Sequence, residues 1–259
     1  MNYLIAAQTD IGNIKKSNQD SYCIKVATSK NFGNILFSVV CDGMGGLSKG
    51  ELASATVVKE FEKWFENYYP LFLQNNTVNI ETLKKEWSRL ARVLNNRIGT
   101  YGANLGISLG TTLVGCVTFG DRLFVINVGD SRLYKITTEV KRLTQDQSLV
   151  ASEIASGKLP PEAEETDKRR NVLLQCIGAS HALKPVIEEH PLEAGAVYLL
   201  CTDGFRHEIT ESEMLGLLSP TVIDSEGALN STLRDIINLL KQRQEKDNIT
   251  AVAFKTVQD

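Results

Sequence analysis

The chain has 259 residues, 42% of them hydrophobic, and a formal net charge of −3. That length is enough for a sizeable core in one large domain or two small ones. The near-neutral balance excludes a general attraction to nucleic acid or anionic lipid, and no run is apolar enough to span a bilayer.

Met1 to Ala7 lacks the basic start and long apolar stretch of a signal peptide and reads as a first strand. Short apolar and β-branched runs bounded by Gly, Asp or Asn predict strands at 3–9, 21–27 and 35–41. Two amphipathic helices follow. Val58, Phe61, Phe65 and Tyr68 make the apolar face of the first, and Leu83, Trp87, Leu90, Leu94 and Ile98 that of the second. Pro70 and the polar run Gln74-Asn75-Asn76 are expected to separate them. Strands come next at 111–119, 122–128 and 131–137, with Gly120-Asp121 as a tight hairpin turn and Gly129-Asp130-Ser131-Arg132 as another turn.

The segment at about 145–177 has little strand pattern. It holds Pro160-Pro161, the acidic residues Glu162, Glu164 and Glu165, and the basic cluster Lys168-Arg169-Arg170. It reads as a small surface subdomain or mobile flap, with a solvated loop as the alternative. Strands at 185–190 and 196–202, a helix on Leu229, Leu233, Ile236, Ile237 and Leu240, and a strand at 249–256 complete the chain. Strands in runs with long helices between them predict an α+β fold: two mainly antiparallel sheets packed together with helices outside.

The cysteines Cys23, Cys41, Cys116, Cys176 and Cys201 are odd in number, without a C-x-x-C pair, and four lie in strand-like runs. They read as buried thiols, not as disulfides or a zinc site, which makes the cytoplasm the natural compartment. Three histidines, His181, His190 and His207, are too few for a His-rich metal site. His207 stays open as a catalytic group.

Four short acidic motifs lie at the edges of strand-like runs: Asn18-Gln19-Asp20, Asp42-Gly43-Met44-Gly45-Gly46, Thr202-Asp203-Gly204 and Asp247-Asn248-Ile249-Thr250. Aspartates on strand ends can be aimed at one point, and together they suit a hard divalent cation such as Mg²⁺ or Mn²⁺. Each has a plainer reading. Asp42 could cap a strand-to-helix turn, and Asp247-Asn248 is a common turn opener. Asp203 follows a buried-strand run, where a carboxylate is costly unless paired or bound to a cation. Asp130 is a fifth candidate ligand. Lys15 near Asp20 is either a surface ion pair or a phosphate anchor.

Taken together and in order, these motifs resemble the metal-dependent serine/threonine protein phosphatases of type 2C, the PPM family. The similar segments are Gly12-Asn13-Ile14-Lys15 through Asp20, Asp42 to Gly46, Gly110-Thr111-Thr112, Asn127 to Arg132, Leu143-Thr144-Gln145-Asp146, Thr202-Asp203-Gly204 and Asp247 to Thr250. Their compact length and Asp-Gly-Met-Gly-Gly look like the bacterial branch. The resemblance implies an αββα sandwich, a single catalytic domain over 1–259 with a flap at about 145–177, and hydrolysis of phosphoserine and phosphothreonine in proteins. It implies a water activated between two Mn²⁺ or Mg²⁺ ions, without a phosphoenzyme. Asp42 would bridge both ions, the Gly43 carbonyl would bind one, and Asp203 and Asp247 would be ligands. Asp20 would act directly or through water, and Asp130 would help a third ion. Lys15 would anchor phosphate, so Asp42, Asp203 and Lys15 carry the catalysis. The partners implied are phosphoproteins, opposed by a Ser/Thr kinase and met by a monomer, with neither nucleic acid nor membrane. Three positions depart from the family: Lys15 where Arg is common, His207 where an acid is frequent, and Gln147 where His often follows the Thr-x-Asp motif. The alternatives are a scaffold of the same fold without activity, and a phosphohydrolase acting on a small molecule or a regulatory partner.

Overall fold

Two five-stranded antiparallel sheets lie face to face between helical layers in a computed structural model that describes residues 1–45, 49–74 and 78–258. In chain order the strands are β1 (Asn2–Asp10), β2 (Ser21–Ser29), β3 (Gly33–Cys41), β4 (Gly43–Gly45), β5 (Leu109–Thr111), β6 (Leu113–Phe119), β7 (Arg122–Val128), β8 (Arg132–Ile136), β9 (Val140–Arg142), β10 (Val186–Pro191), β11 (Val197–Cys201) and β12 (Ile249–Val257). The helices are α1 (Gly50–Gln74), α2 (Ile80–Asn104), α3 (Leu149–Ala155), α4 (Ala163–Thr166), α5 (Asp203–Arg206), α6 (Glu211–Leu218) and α7 (Glu226–Gln242). One sheet runs β1-β12-β11-β8-β9, the other β10-β7-β6-β3-β2, and β4 pairs with β5 in a small ribbon.

The period of two along β3 builds both layers. Ile35, Phe37, Val39 and Cys41 face α1 and α2, where they meet Phe61, Phe65, Leu83 and Trp87. Leu36 and Val40 face the other sheet and meet Leu133, Tyr198, Leu200, Val252 and Phe254. A third cluster buries Leu229, Leu233, Ile236, Ile237 and Leu240 of α7 against the outer face of the β12 sheet. Each apolar helix stripe therefore finds a sheet face, which is what αββα layering requires. Ser225 caps α7 by accepting from the Ala228 N–H, and Asn79 caps α2 through the Glu81 N–H.

Three sequence expectations change. Pro70 does not end the first helix; it lies inside α1, at an exposed position near its C-terminal end. Proline there removes a single ladder hydrogen bond close to carbonyls that lack helical partners anyway, so the helix can continue to Gln74. The strand expected at 111–119 breaks at Thr112, and its first part, β5, pairs with β4 instead. Residues 129–132 are not a hairpin turn, because β7 and β8 belong to different sheets. The chain crosses between the sheets there, and Gly129, at φ +100°, makes the sharp bend against Thr112. The turn at Gly120-Asp121 does join a hairpin, with Phe119 opposite Arg122. The segment at 145–177 carries α3 and α4 and is tied back by bridges Ser148↔Leu173 and Thr111↔Ile177. Gly46 of the glycine run, and Asn75 and Asn76 of the polar run, lie outside the described residues.

Trp87 is fully buried between Phe61 and Trp64. Trp87→Ala is expected to cost about 3–5 kcal/mol in denaturant unfolding. A loss under about 1 kcal/mol would mean that the helical layer contributes little to the cooperative core.

Candidate active site

Strand register gathers the aspartates. Ser21 pairs with Cys41, so Asp20 and Asp42 lie side by side at the ends of neighbouring strands. Cys201 pairs with both Ala251 and Arg132, which brings Asp203, the Asp247-Asn248 turn and Asp130 to the same end of the other sheet. A cavity of about 250 Å³ opens there, lined by Lys15, Gln19, Asp42, Gly43, Met44, Asp130, Asn171, Leu173, Asp203 and Asp247. Asp20 stands behind this lining, with its Oδ2 accepting from the Thr202 hydroxyl at 3.0 Å. All the sequence-predicted site residues thus meet at one end of the sandwich.

The backbone around Asp42 is clamped. The Asp42 N–H donates to Thr112 Oγ1 (2.9 Å), and its carbonyl accepts from the Thr112 N–H (2.9 Å) and the Thr111 hydroxyl (2.8 Å). A Cβ on Gly43 would collide with the carbonyls of Gln19 and Gly50, so this approach is open only to glycine. Asp42 is no N-cap, since β4 intervenes before α1 begins at Gly50. Asp203 opens α5, whose N-cap is Thr202.

Electrostatics divide the cavity. Burial, with Asp203 nearby, pushes the Asp20 carboxyl up to about 7 against hydrogen bonds from Thr250 and Thr202. Burial, then the charges of Asp20 and Asp203, push Asp42 well above the usual carboxylate range. The Oδ1 atoms of Asp20 and Asp203 are buried without a hydrogen-bond partner. Orphaned carboxylate oxygens beside a backbone carbonyl fit a hard divalent cation. Among the described residues, no three His, Cys, Asp or Glu side chains close into a finished cage. Lys15 stands on the rim, 39% exposed, with Nζ 2.6 Å from Asp247 Oδ1. Burial works against its charge, but Asp247, then Asp42 and Asp203, hold the ammonium pKa above its ordinary value.

Asp130 differs. Burial and Asp203 push its carboxyl up to about 7, against the pull of Arg206. The Nη2 of Arg206 lies 3.4 Å from Asp130 Oδ2 and 3.5 Å from Asp146 Oδ2. Asp146 is gripped by Arg132 through Nε–Oδ1 (2.9 Å) and Nη2–Oδ2 (2.7 Å). Burial opposes that charge, but the bidentate pair outweighs it and holds Asp146 below the usual carboxylate range.

The structure gives roles to residues the sequence named without one, and adds Glu245, which it did not name. The Asn248 side chain accepts from the Gln19 N–H (2.9 Å) and donates to the carbonyls of Ile11 (2.9 Å) and Ser17 (3.1 Å), which fixes the loop carrying Lys15. Gln147 accepts from the Gly129 N–H at 3.0 Å and braces the crossing that carries Asp130. His207 lies between Asp203 and Glu245, 3.7 Å from each. Burial pushes it down to about 4, so its imidazole is neutral near pH 7. Glu245 is buried in a polar stretch that gives no signal of burial, and its Oε1 accepts from the N–H groups of Lys246 and Asp247.

The profile of the protein phosphatase 2C family matches residues 14–252. The serine/threonine phosphatase stp of Listeria welshimeri serovar 6b is 29% identical over 250 residues, 95% of this chain and 92% of that protein. The serine/threonine phosphatase of S. agalactiae superposes with a TM-score of 0.81 at 27% identity, over 99% of this chain and 100% of its own. The catalytic domain of the serine threonine protein phosphatase PstP, in complex with two manganese ions, superposes with a TM-score of 0.75 at 23% identity, over 99% of each chain.

A carboxyl whose folded pKa is raised is more easily ionised in the unfolded chain, so it loses stability as pH rises between the two values. Asp20 and Asp130 span the interval from 3.8 to about 7, and burial with the charges of Asp20 and Asp203 raises Asp42 well above the usual carboxylate range as well. His207 acts in the opposite sense between about 4 and its ordinary 6.5, but it is one group against three. In chelator, the melting temperature is expected to fall from about pH 5 to about pH 7, and Mn²⁺ at pH 7 to raise it. A melting temperature that climbs over that range in chelator would mean that the carboxylates are already compensated.

Proposed function

Given that the chain belongs to the protein phosphatase 2C family, and is an enzyme on that account, we propose that it hydrolyses phosphoserine and phosphothreonine in proteins with two divalent cations, Mn²⁺ or Mg²⁺. The observation that carries the reading is the pair of partnerless buried oxygens on Asp20 and Asp203 beside the cavity of Asp42 and Asp247. The two manganese ions of the PstP complex support the same count. Asp42, Asp203 and Asp247 with the Gly43 carbonyl would hold the ions, and Asp20 would do so directly or through water. When bound, the ions acidify a water and offset charge developing on the phosphoryl oxygens.

This chain's own residues supply position and charge. Lys15 offers the substrate phosphate a positive charge at the rim. Thr202 orients Asp20, and the clamp on the Asp42 backbone keeps that carboxylate from recoiling from its neighbours. His207, neutral and buried, holds no imidazolium proton for the leaving oxygen. Asn171 and Leu173 wall the cavity, which supports reading 145–177 as a flap within a single catalytic domain over 1–259. Under this reading the substrates are phosphoproteins made by a Ser/Thr kinase, and the enzyme acts as a monomer. Its five free thiols suit the reducing cytoplasm. Among the described residues, no helix is long and apolar enough to cross a membrane.

Phosphate release from a phosphothreonine peptide is expected with Mn²⁺, to be abolished by chelator, and to fall more than about 100-fold in Asp42→Asn and Asp203→Asn. No release from folded, Mn²⁺-supplied enzyme, with turnover of a small phosphate ester instead, would move the substrate to small molecules. Lys15 lacks the fork with which arginine grips phosphate, so Lys15→Arg is expected to lower KM for the peptide by about 3-fold or more. An unchanged KM would remove Lys15 from the substrate site.

A further inference from the structure

Arg206 is not absorbed by that reading. It is the fourth residue of α5, so the short helix that begins with Asp203 also turns a guanidinium toward Asp130. Its Nη2 lies 3.3 Å from the Asp130 carbonyl oxygen, 3.4 Å from Asp130 Oδ2 and 3.5 Å from Asp146 Oδ2, and the side chain is only 11% exposed. A guanidinium does not give up its proton in a protein, and one this buried requires carboxylates around it. Asp146 is shared with Arg132; Arg132 meets Glu164 at 3.0 Å; Glu164 meets Arg142 at 2.6 Å.

The charges in this chain of contacts balance. Asp130, Asp146 and Glu164 stand against Arg206, Arg132 and Arg142. Asp130 therefore has a fixed positive charge beside it before any ion arrives. The other half of the cavity is unmatched: Lys15 on its rim is paired with Asp247, and Asp20 and Asp203 keep partnerless oxygens. A cation beside Asp130 would have to displace Arg206 from its carboxylate or sit against like charge.

We propose that the Arg206 guanidinium is a built-in cation that occupies the Asp130 carboxylate, so that this chain holds two divalent ions, on the Asp20, Asp42, Asp203 and Asp247 side, and no third ion on Asp130. The inference rests on the two-ion reading of the site. Arg206 is a positioning residue here: it fixes Asp130 and keeps that corner of the cavity free of metal.

The test is the number of Mn²⁺ ions bound by the full chain, from calorimetric titration and from the electron paramagnetic resonance signal of free Mn²⁺. Two ions are expected in the wild type and two in Asp130→Asn. A third, weaker ion is expected in Arg206→Ala, and it should vanish in the Arg206→Ala/Asp130→Asn double variant. A third ion in the wild type that Asp130→Asn removes would overturn the inference while leaving the two-ion reading intact. So would an Arg206→Ala protein that folds and stays at two. Fewer than two ions in the folded wild type would overturn the two-ion reading itself. If Arg206→Ala does not fold, the wild-type and Asp130→Asn counts alone decide.

Discussion

Mutual repulsion among Asp20, Asp42 and Asp203 is the constraint around which the molecule is built. Among the described residues, none of the three is paired with a lysine or arginine. Like charges held close together in a buried site disfavour one another's ionised form. A flexible loop would relieve that by moving. Here the carboxylates sit at the ends of β3, β11 and the start of β2, and β3 and β11 are buried on both faces. Moving Asp42 or Asp203 away would mean slipping a strand, which would turn a whole apolar face the wrong way. The core therefore opposes the electrostatics, and a bound cation would remove the conflict.

The same end of the sandwich handles charge in two ways. On the Asp130 side, the chain itself supplies arginines to the carboxylates. On the Asp42 side, the carboxylates have threonine hydroxyls, backbone amides and one another. Both sides are set by which residue follows a strand, since Asp203 and Arg206 leave the end of β11 on one turn of helix while Asp130 precedes β8. Residues that touch no reacting group hold this division in place. Asn248, 2% exposed, ties the Lys15 loop to the start of β12, and Gln147 ties the Asp130 crossing to the segment that walls the cavity.

What could be read in advance was what local pattern encodes. The strands and the three long helices followed from period and composition, because each buries one face against a neighbour. The aspartates were legible as a group because each ends an apolar run. Residues 129–132 looked like a hairpin because a Gly-Asp pair between two strands gives the same local signal whether the strands share a sheet or not. Pro70 looked like a terminator because the residue type is a local signal, while close to the end of a helix it removes only one ladder hydrogen bond. Asp146 was legible only as part of a motif, and Arg206 gave no signal, since its burial depends on partners far away in sequence: Arg206 meets Asp130 across 76 positions. Long-range charge pairing has no periodicity to read.

Such pairing also explains how an arginine can stand beside a site that would bind cations. A lone buried guanidinium would be too costly, and removing one partner from a buried pair costs about 3–5 kcal/mol because the other charge is stranded. Arg206 is tolerated because Asp146 shares it, Asp146 because Arg132 grips it with two hydrogen bonds, and Arg132 because Glu164 on α4 lies against it. The series ends at Arg142, which is partly exposed and can use water. Arg206, Arg132, Asp146 and Glu164 each touch at least two opposite charges, so the contacts support one another. The cation beside Asp130 is thus held by the packing of 145–177 as much as by the cavity, and the placement of α4 against Arg132 is part of what determines how many cations the cavity can hold.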